Sequence, residues 1–181
     1  FNKEDYSGPH HNEQLGRYVD EALSFIDSHS LKLDAVAVSC GPGSYTGLRI
    51  GTSMAKGICY GRDVKLIAIP TLELLAVPVL LKEQAEEENA LLVPMLDARR
   101  MEVYAQVFDR SLNEVRPIQA DVVTGDTYKE YLEKGPVYFF GNGAAKCMEE
   151  INNPNAHLIK DVVPLAKYMF PLAEKRIAQG K

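Results

Sequence analysis

The chain has 181 residues, of which 46% are hydrophobic and 25% are charged, the ordinary composition of a folded globular protein. Its formal net charge of −5 excludes a global attraction to nucleic acid or to an anionic membrane. The longest apolar segment, 72–81, falls short of the roughly 18 residues that a membrane span requires, and it contains Glu73 and Pro78.

The three cysteines, Cys40, Cys59 and Cys147, are far apart and form neither a CxxC pair nor a zinc-type spacing with histidine. They predict small buried thiols in a reducing compartment. Signal-peptide features are absent from the opening residues, which favours the cytoplasm. Because the chain opens on Phe1, within what reads as the end of a strand and its turn, we expect that it lacks its native start.

The first predicted element is an amphipathic helix over 9–29. Its apolar residues recur at steps of three and four and define one broad stripe: Leu15, Tyr18, Val19, Ala22, Phe25, Ile26 and His29. His10 and His11 stand at its start, but neither has a histidine four positions later, as a helical metal pair would require. We therefore predict a packed helix and no metal site.

A glycine-rich stretch, CGPGSYTGLRIG over 40–51, joins a predicted buried strand at 33–40 to a helix at 48–60. Its glycines favour a tight turn with positive φ, and Thr46 is the expected N-cap of the helix. Amides at a helix start can bind phosphate, and the alternative is that the glycines only permit close packing. The candidate cofactor-binding residues here are Gly41, Gly43 and Gly47.

The helix after this loop has small residues four positions apart, at Gly47, Gly51 and Ala55. This spacing lets a second helix or a sheet approach closely, within this chain or in a partner. The loop itself contains no acidic residue to hold magnesium and no lysine. These absences favour a structural turn over a phosphate site.

A strand at 65–69 and a helix from 70 to about 85, interrupted by Pro78, complete the predicted N-terminal half. We place the two halves at 1–75 and 76–181. The second half has predicted strands at 90–96, 101–109, 116–123 and 136–140, with a short helix at 128–133 and a last amphipathic helix from Pro164.

A second strand, glycine turn and helix occur at 136–151, where the turn reads GNG. Gly141 and Gly143 are therefore further candidate cofactor-binding residues. One such unit in each half suggests a duplicated α/β plan with a cleft between the halves.

Two blocks carry a specific resemblance: GPGSYTGLRIG at 41–51 and MLDARRMEVYAQVF at 95–108. In order and separation they resemble the TsaB (YeaZ) family of bacterial tRNA-modification proteins, and the GNG turn at 141–143 agrees. The resemblance covers nearly the whole chain. It implies an α/β fold of two ribonuclease-H-like, actin-like (ASKHA) halves, with mixed sheets flanked by helices, and a first hairpin that is missing before Phe1.

The resemblance also implies a function. The family is a non-catalytic partner of the catalytic protein TsaD and works with the ATPase TsaE to make threonylcarbamoyladenosine on tRNA. It implies no cofactor of its own, contact with tRNA only through the complex, and dimerisation through helices. The helices at 12–29 and 48–60 then present the partner interface: Leu15, Tyr18, Val19, Ala22, Gly47, Leu48, Gly51 and Ala55.

Two other functions are weighed against the scaffold interpretation. The first is a nucleotide-binding actin-like enzyme, in which the two glycine turns face phosphate. The second is a metallopeptidase, following an older description of the wider family, and the missing histidine pair makes it the weakest of the three.

Overall fold

A computed structural model describes residues 1–5 and 11–180. The chain packs as two compact units, unit 1 from residues 1–70 with 165–181 and unit 2 from residues 71–164. The sequence had placed the division after residue 75 and the last helix in the second half. That helix instead packs against the second strand of unit 1, and Leu172 is its buried residue.

Unit 1 contains α1 (His11–Ser28), β1 (Ala35–Ser39), α2 (Tyr45–Arg62), β2 (Lys65–Ile69) and, after a 3₁₀ turn at Ala166–Met169, the C-terminal helix Phe170–Ala178. Strands β1 and β2 are parallel and are joined through α2, which packs on β1. The buried apolar side chains among the described residues of unit 1 are Ala55, Ile67, Ile69 and Leu172.

Unit 2 opens with α3 (Thr71–Leu81), in which Pro78 lies inside a continuous helix. The sheet strands are β3 (Leu91–Asp97), β4 (Glu102–Phe108), β5 (Glu114–Val122), β6 (Val137–Phe140) and β7 (Ala156–Ile159), with α4 (Lys129–Leu132) and α5 (Met148–Ile151) between them. Strand β7 was not predicted, because AHLI is short and follows an asparagine-rich loop. The C-terminal helix Phe170–Ala178 is α6.

The five strands of unit 2 lie in the order β5-β4-β3-β6-β7. Strands β3, β4 and β5 pair antiparallel, and β3, β6 and β7 pair parallel. One core cluster includes Val93, Met95 and Phe139, and a second contains Leu92 and Phe140 together with the apolar residues of α3. Since side chains alternate along a strand, the two clusters lie on opposite faces of this sheet.

Three predicted features need correction or fall outside the structure. Helix α2 begins at Tyr45 rather than near Leu48, and Ser44 is its N-cap rather than Thr46. Cys147 is buried as predicted, but Cys40 is exposed because it already belongs to the glycine-rich loop. His10 lies outside the described residues, as does the predicted start of α1 at residue 9, and the side chain of His11 is not described.

Candidate partner interface

The glycine-rich loop of unit 1 is closed by its own side chains. Gly41 has φ +108, and a Cβ there would lie 3.3 Å from Leu48 Cδ1. Ser44 Oγ accepts a hydrogen bond from the Gly47 amide at 3.4 Å, and the Leu48 amide donates to the Ser44 carbonyl at 2.8 Å. Two amides of this helix start are thus satisfied within the loop, which favours the close-packing interpretation of Gly41 and Gly47.

The small residues of α2 face the chain's own sheet. A Cβ on Gly51 would lie 3.8 Å from Val38 of β1, and Ala55, one turn later, is only 4% exposed. Leu48 packs over Gly41 in the same direction. Ala55 and Gly51 therefore take part in packing inside this chain, and the role of Leu48, Gly51 and Ala55 as docking positions for a partner stays a prediction.

The other predicted interface residues lie on α1 and at the start of α2. A groove of about 310 Å³ is lined by Leu15 and Tyr18 of α1 and by Gly47 and Ile50 of α2. A second groove of about 570 Å³ is lined by further apolar side chains of both helices: Val19, Leu23, Met54 and Ile58. We call these eight residues the α1–α2 surface. Ala22, also predicted, is half-buried on α1.

Ion pairs lie around this surface. The Arg62 guanidinium donates to both carboxylate oxygens of Asp27 at 2.6 Å and so joins the last turns of α1 and α2. This hydrogen bonding lowers the pKa of Asp27. In the middle of α1, Glu21 pairs with Lys3 at 2.7 Å, and the Lys3 ammonium lies 5.8 Å from the centre of the Tyr18 ring. Two ion pairs thus lie next to the apolar side chains of this surface.

The GNG turn of unit 2 packs directly against β3. Gly141 has φ +95, and a Cβ there would collide with the Met95 carbonyl oxygen. The Gly143 amide donates to that same carbonyl at 3.1 Å, and a Cβ on Gly143 would lie 2.9 Å from the Asp97 nitrogen. Asn142 Oδ1 accepts from the Asp97 amide at 3.0 Å. Gly141 and Gly143 therefore allow the turn to approach the backbone of β3 closely, and the Gly143 amide already donates to the Met95 carbonyl.

Asp97, at the end of β3, takes part in a network of hydrogen bonds. The Lys146 ammonium donates to Asp97 Oδ1 at 2.5 Å and to the carbonyl oxygens of Arg100 and Glu102 at 2.5 and 2.9 Å. The Arg99 amide donates to the same Asp97 oxygen at 3.0 Å. No local pattern in the sequence marks Lys146, because it lies 49 positions after Asp97.

This arrangement gives a testable dependence of stability on pH. The hydrogen bonds from Lys146 and from the Arg99 amide lower the pKa of Asp97. A carboxyl with a lowered folded-state pKa stabilises the fold above its unfolded value, about 3.9, and loses that contribution as the pH falls through the folded value. We expect Asp97→Asn to be destabilising at pH 5 and to differ progressively less from wild type below about pH 4.

Urea unfolding between pH 5 and pH 2 measures this difference. Asp126→Asn is the control, because that side chain is 88% exposed and its contact with Lys129 is 3.7 Å long. Equal pH profiles for the two variants would contradict the expected role of Asp97.

Residues 1–5 and 11–180 were searched for clusters of metal-binding side chains and for membrane-spanning helices. No group of three His, Cys, Asp or Glu side chains there is placed to hold a metal ion. No helix there has both the length and the hydrophobicity needed to cross a membrane.

Comparison with known proteins gives consistent matches. The family model described as TsaD, tRNA N6-adenosine threonylcarbamoyltransferase, matches residues 5–150. The tRNA threonylcarbamoyladenosine biosynthesis protein TsaB of Bacillus subtilis is 32% identical over 76% of this chain and 58% of its own length. TsaB of Escherichia coli is 26% identical over 94% of this chain and 75% of its own.

A solved structure shares the fold. It is a Pseudomonas aeruginosa protein described as uncharacterized, with similarity to peptidase YEAZ. The TM-score is 0.73 at 20% identity, over 92% of this chain and 77% of that one. The mixed α/β architecture predicted from the sequence is confirmed by this likeness.

Proposed function

The chain belongs to the family that the TsaD model describes, on its TsaB (YeaZ) branch, and we propose that it acts in making threonylcarbamoyladenosine on tRNA as a non-catalytic partner subunit. The relatives named TsaB support this pathway. The chain spans 58% of the length of the Bacillus subtilis relative, so the activity and partners of the whole protein are part of the proposal.

We further propose that the α1–α2 surface binds a TsaD-like catalytic subunit. The observation that carries this proposal is the pair of grooves lined by half-buried apolar side chains, between two helices that touch along one side. Apolar groups left partly exposed in a groove gain free energy when a partner covers them. An alternative occupant is the same surface of a second copy, which would give a homodimer.

The remaining parts of the proposal follow from the family. A TsaE-like ATPase would join the complex, ATP would belong to the partner subunits, and tRNA would be reached through the complex in the cytoplasm. Two ribonuclease-H-like halves remain the proposed architecture. The strand order of unit 2 supports it for one half, and the parallel β1–α2–β2 element of unit 1 is compatible with it.

The two alternative functions have less support. For a nucleotide-binding enzyme, the Gly47 and Gly143 amides would have to give up acceptors that they already have. For a metallopeptidase, the only named link is the similarity that the Pseudomonas aeruginosa protein's description mentions. Neither alternative is favoured by a specific contact.

The interface is tested by replacing Tyr18 with glutamate. A charge in the centre of an apolar interface is expected to weaken association with the TsaD-like subunit by at least about tenfold, since central aromatic residues often contribute 2 kcal/mol or more. Calorimetric titration of purified chain and partner measures it. Met54→Glu, in the neighbouring groove, is expected to act in the same direction.

Tyr60→Glu is the matched control, because Tyr60 is 94% exposed on another face of α2. Wild-type affinity in both the Tyr18 and Met54 variants would rule out this surface. Failure of the unaltered chain to bind any TsaD-like subunit would overturn the proposed function itself. A concentration-dependent dimer that the same variants abolish would assign the surface to self-association.

A further inference from the structure

The turn between β3 and β4 holds two adjacent arginines in an unusual backbone conformation. Arg99 has φ +75 and Arg100 has φ +47, in the left-handed region where a side chain is unfavourable. Asparagine and glycine are the usual residues in such hairpin turns because they accept positive φ readily. The chain therefore carries arginine at two consecutive positions where another residue would form the turn more easily.

The turn is fixed from behind by contacts that do not involve the guanidinium groups. Lys146 donates to the carbonyl oxygens of Arg100 and Glu102, and Asp97 accepts from the Arg99 amide. The Ala98 amide donates to the Glu102 carbonyl at 3.1 Å, and the Glu102 amide donates to the Arg99 carbonyl at 3.0 Å. Backbone conformations of this kind persist only where the surroundings determine them, and they concentrate at functional sites.

The donors at the tip of the turn are free. Both arginines are exposed, and within the described residues neither guanidinium has a hydrogen bond or an ion pair. In the same part of the chain, the amides of Arg100 and Met101 have no acceptor. Successive amides in a turn with positive φ can form a concave anion site, and two guanidinium groups add planar forks that match an oxyanion.

We propose that the turn Arg99–Arg100 binds a phosphate group. Phosphate matches both donor types, since its oxygens accept from guanidinium forks and from backbone amides. The phosphate would come from the RNA backbone or from a free nucleotide or polyphosphate. The RNA source rests on the proposed function, in which tRNA is the substrate of the complex, and the small-molecule source does not. A chain with a net charge of −5 requires a local cationic site for either source.

The test compares the double variant Arg99→Asn/Arg100→Asn with the unaltered chain. Asparagine tolerates positive φ, so the turn and the melting temperature should be retained while both guanidinium groups are removed. The probes are fluorescently labelled unmodified tRNA and inorganic tripolyphosphate, each titrated at several salt concentrations. For the probe that binds, we expect the double variant to bind about tenfold more weakly at low salt. For tRNA, we also expect the slope of log K against log salt to become shallower by about 1.4–1.8, the value for two lost phosphate contacts.

Lys82→Ala/Lys160→Ala is the matched control, because it removes two exposed positive charges from the same unit. Its affinity is expected to stay within about twofold of the unaltered chain, since it lacks the bidentate geometry. Equal losses in both double variants would overturn the proposal, because they would show only non-specific attraction. Absence of binding to both probes by the unaltered chain, alone and with the TsaD-like subunit, would also overturn it.

The two sources and the proposed function are separated by running each titration with and without the TsaD-like subunit. If the asparagine variant loses affinity for tRNA alone, the ligand is RNA phosphate. If it loses affinity for tripolyphosphate, the ligand is a small phosphate compound. Normal phosphate binding with weakened subunit association in the asparagine variant would instead assign the arginines to a protein contact. If the unaltered chain binds phosphate through the turn but does not bind the TsaD-like subunit, the phosphate site is supported and the proposed function is contradicted.

Discussion

Gly141→Ala is expected to lower the free energy of unfolding of unit 2 by about 3 kcal/mol or more, because two costs add. The residue has φ +95, which is strained for any residue with a side chain, and a Cβ would collide with the Met95 carbonyl oxygen. That oxygen belongs to a buried central strand and cannot move aside cheaply. Urea unfolding followed by circular dichroism measures the change.

Gly57→Ala supplies the contrast. Gly57 lies within α2 at ordinary helical φ, and a Cβ there would meet nothing within 4 Å. Alanine is expected to stabilise this helix by about 0.5–1 kcal/mol. If Gly141→Ala unfolded within about 0.5 kcal/mol of the wild type, close approach would not be the reason for glycine there.

The second large effect is expected for Asp121→Ala, which removes the centre of a buried polar cluster. Asp121 is 8% exposed and accepts from Arg116 at 2.5 Å and from the Tyr128 hydroxyl at 2.5 Å. Arg116 is itself only 13% exposed, and its guanidinium lies 5.3 Å from the centre of the Tyr128 ring. Loss of the carboxylate would leave a buried cation and a buried hydroxyl unpaired, which costs about 3–5 kcal/mol.

Thermal and urea unfolding of three variants test this account. Tyr128→Phe removes one hydrogen bond and is expected to cost about 1 kcal/mol. Asp126→Ala, at an 88% exposed carboxylate, is expected to change stability by less than about 0.5 kcal/mol. A loss below about 1 kcal/mol for Asp121→Ala would show that the cluster is not desolvated in solution.

Most elements of the fold were predicted because their patterns are local. The amphipathic stripe of α1, the apolar run of β2 and the alternation of β4 each occupy one short window. Strand β7 gave no such signal, since four residues after a turn-rich loop are too few for a period. Pro78 predicted a bend, yet α3 continues through it inside a fully apolar core.

The site was predicted less well, because its decisive contacts are long-range. Tyr18 and Gly47, both predicted as interface residues, line one groove between α1 and α2, and binding of a partner there stays a prediction. The sequence did not determine which element packs against Gly51 and Ala55, because small residues spaced by four allow any neighbouring helix or sheet to approach. Only the position of β1 shows that the neighbour is internal. Lys146 likewise acts across 44 to 49 positions.

The parallel pair of strands in unit 1 has a consequence for the effect of a bound partner on stability. Within the described residues, β1 pairs with β2 alone, and its five positions are all only partly buried. Such a unit opens locally at lower free energy than a sheet covered on both faces. A subunit that binds the folded α1–α2 surface would therefore raise the free energy of unfolding of unit 1 with the logarithm of its own concentration, by mass action.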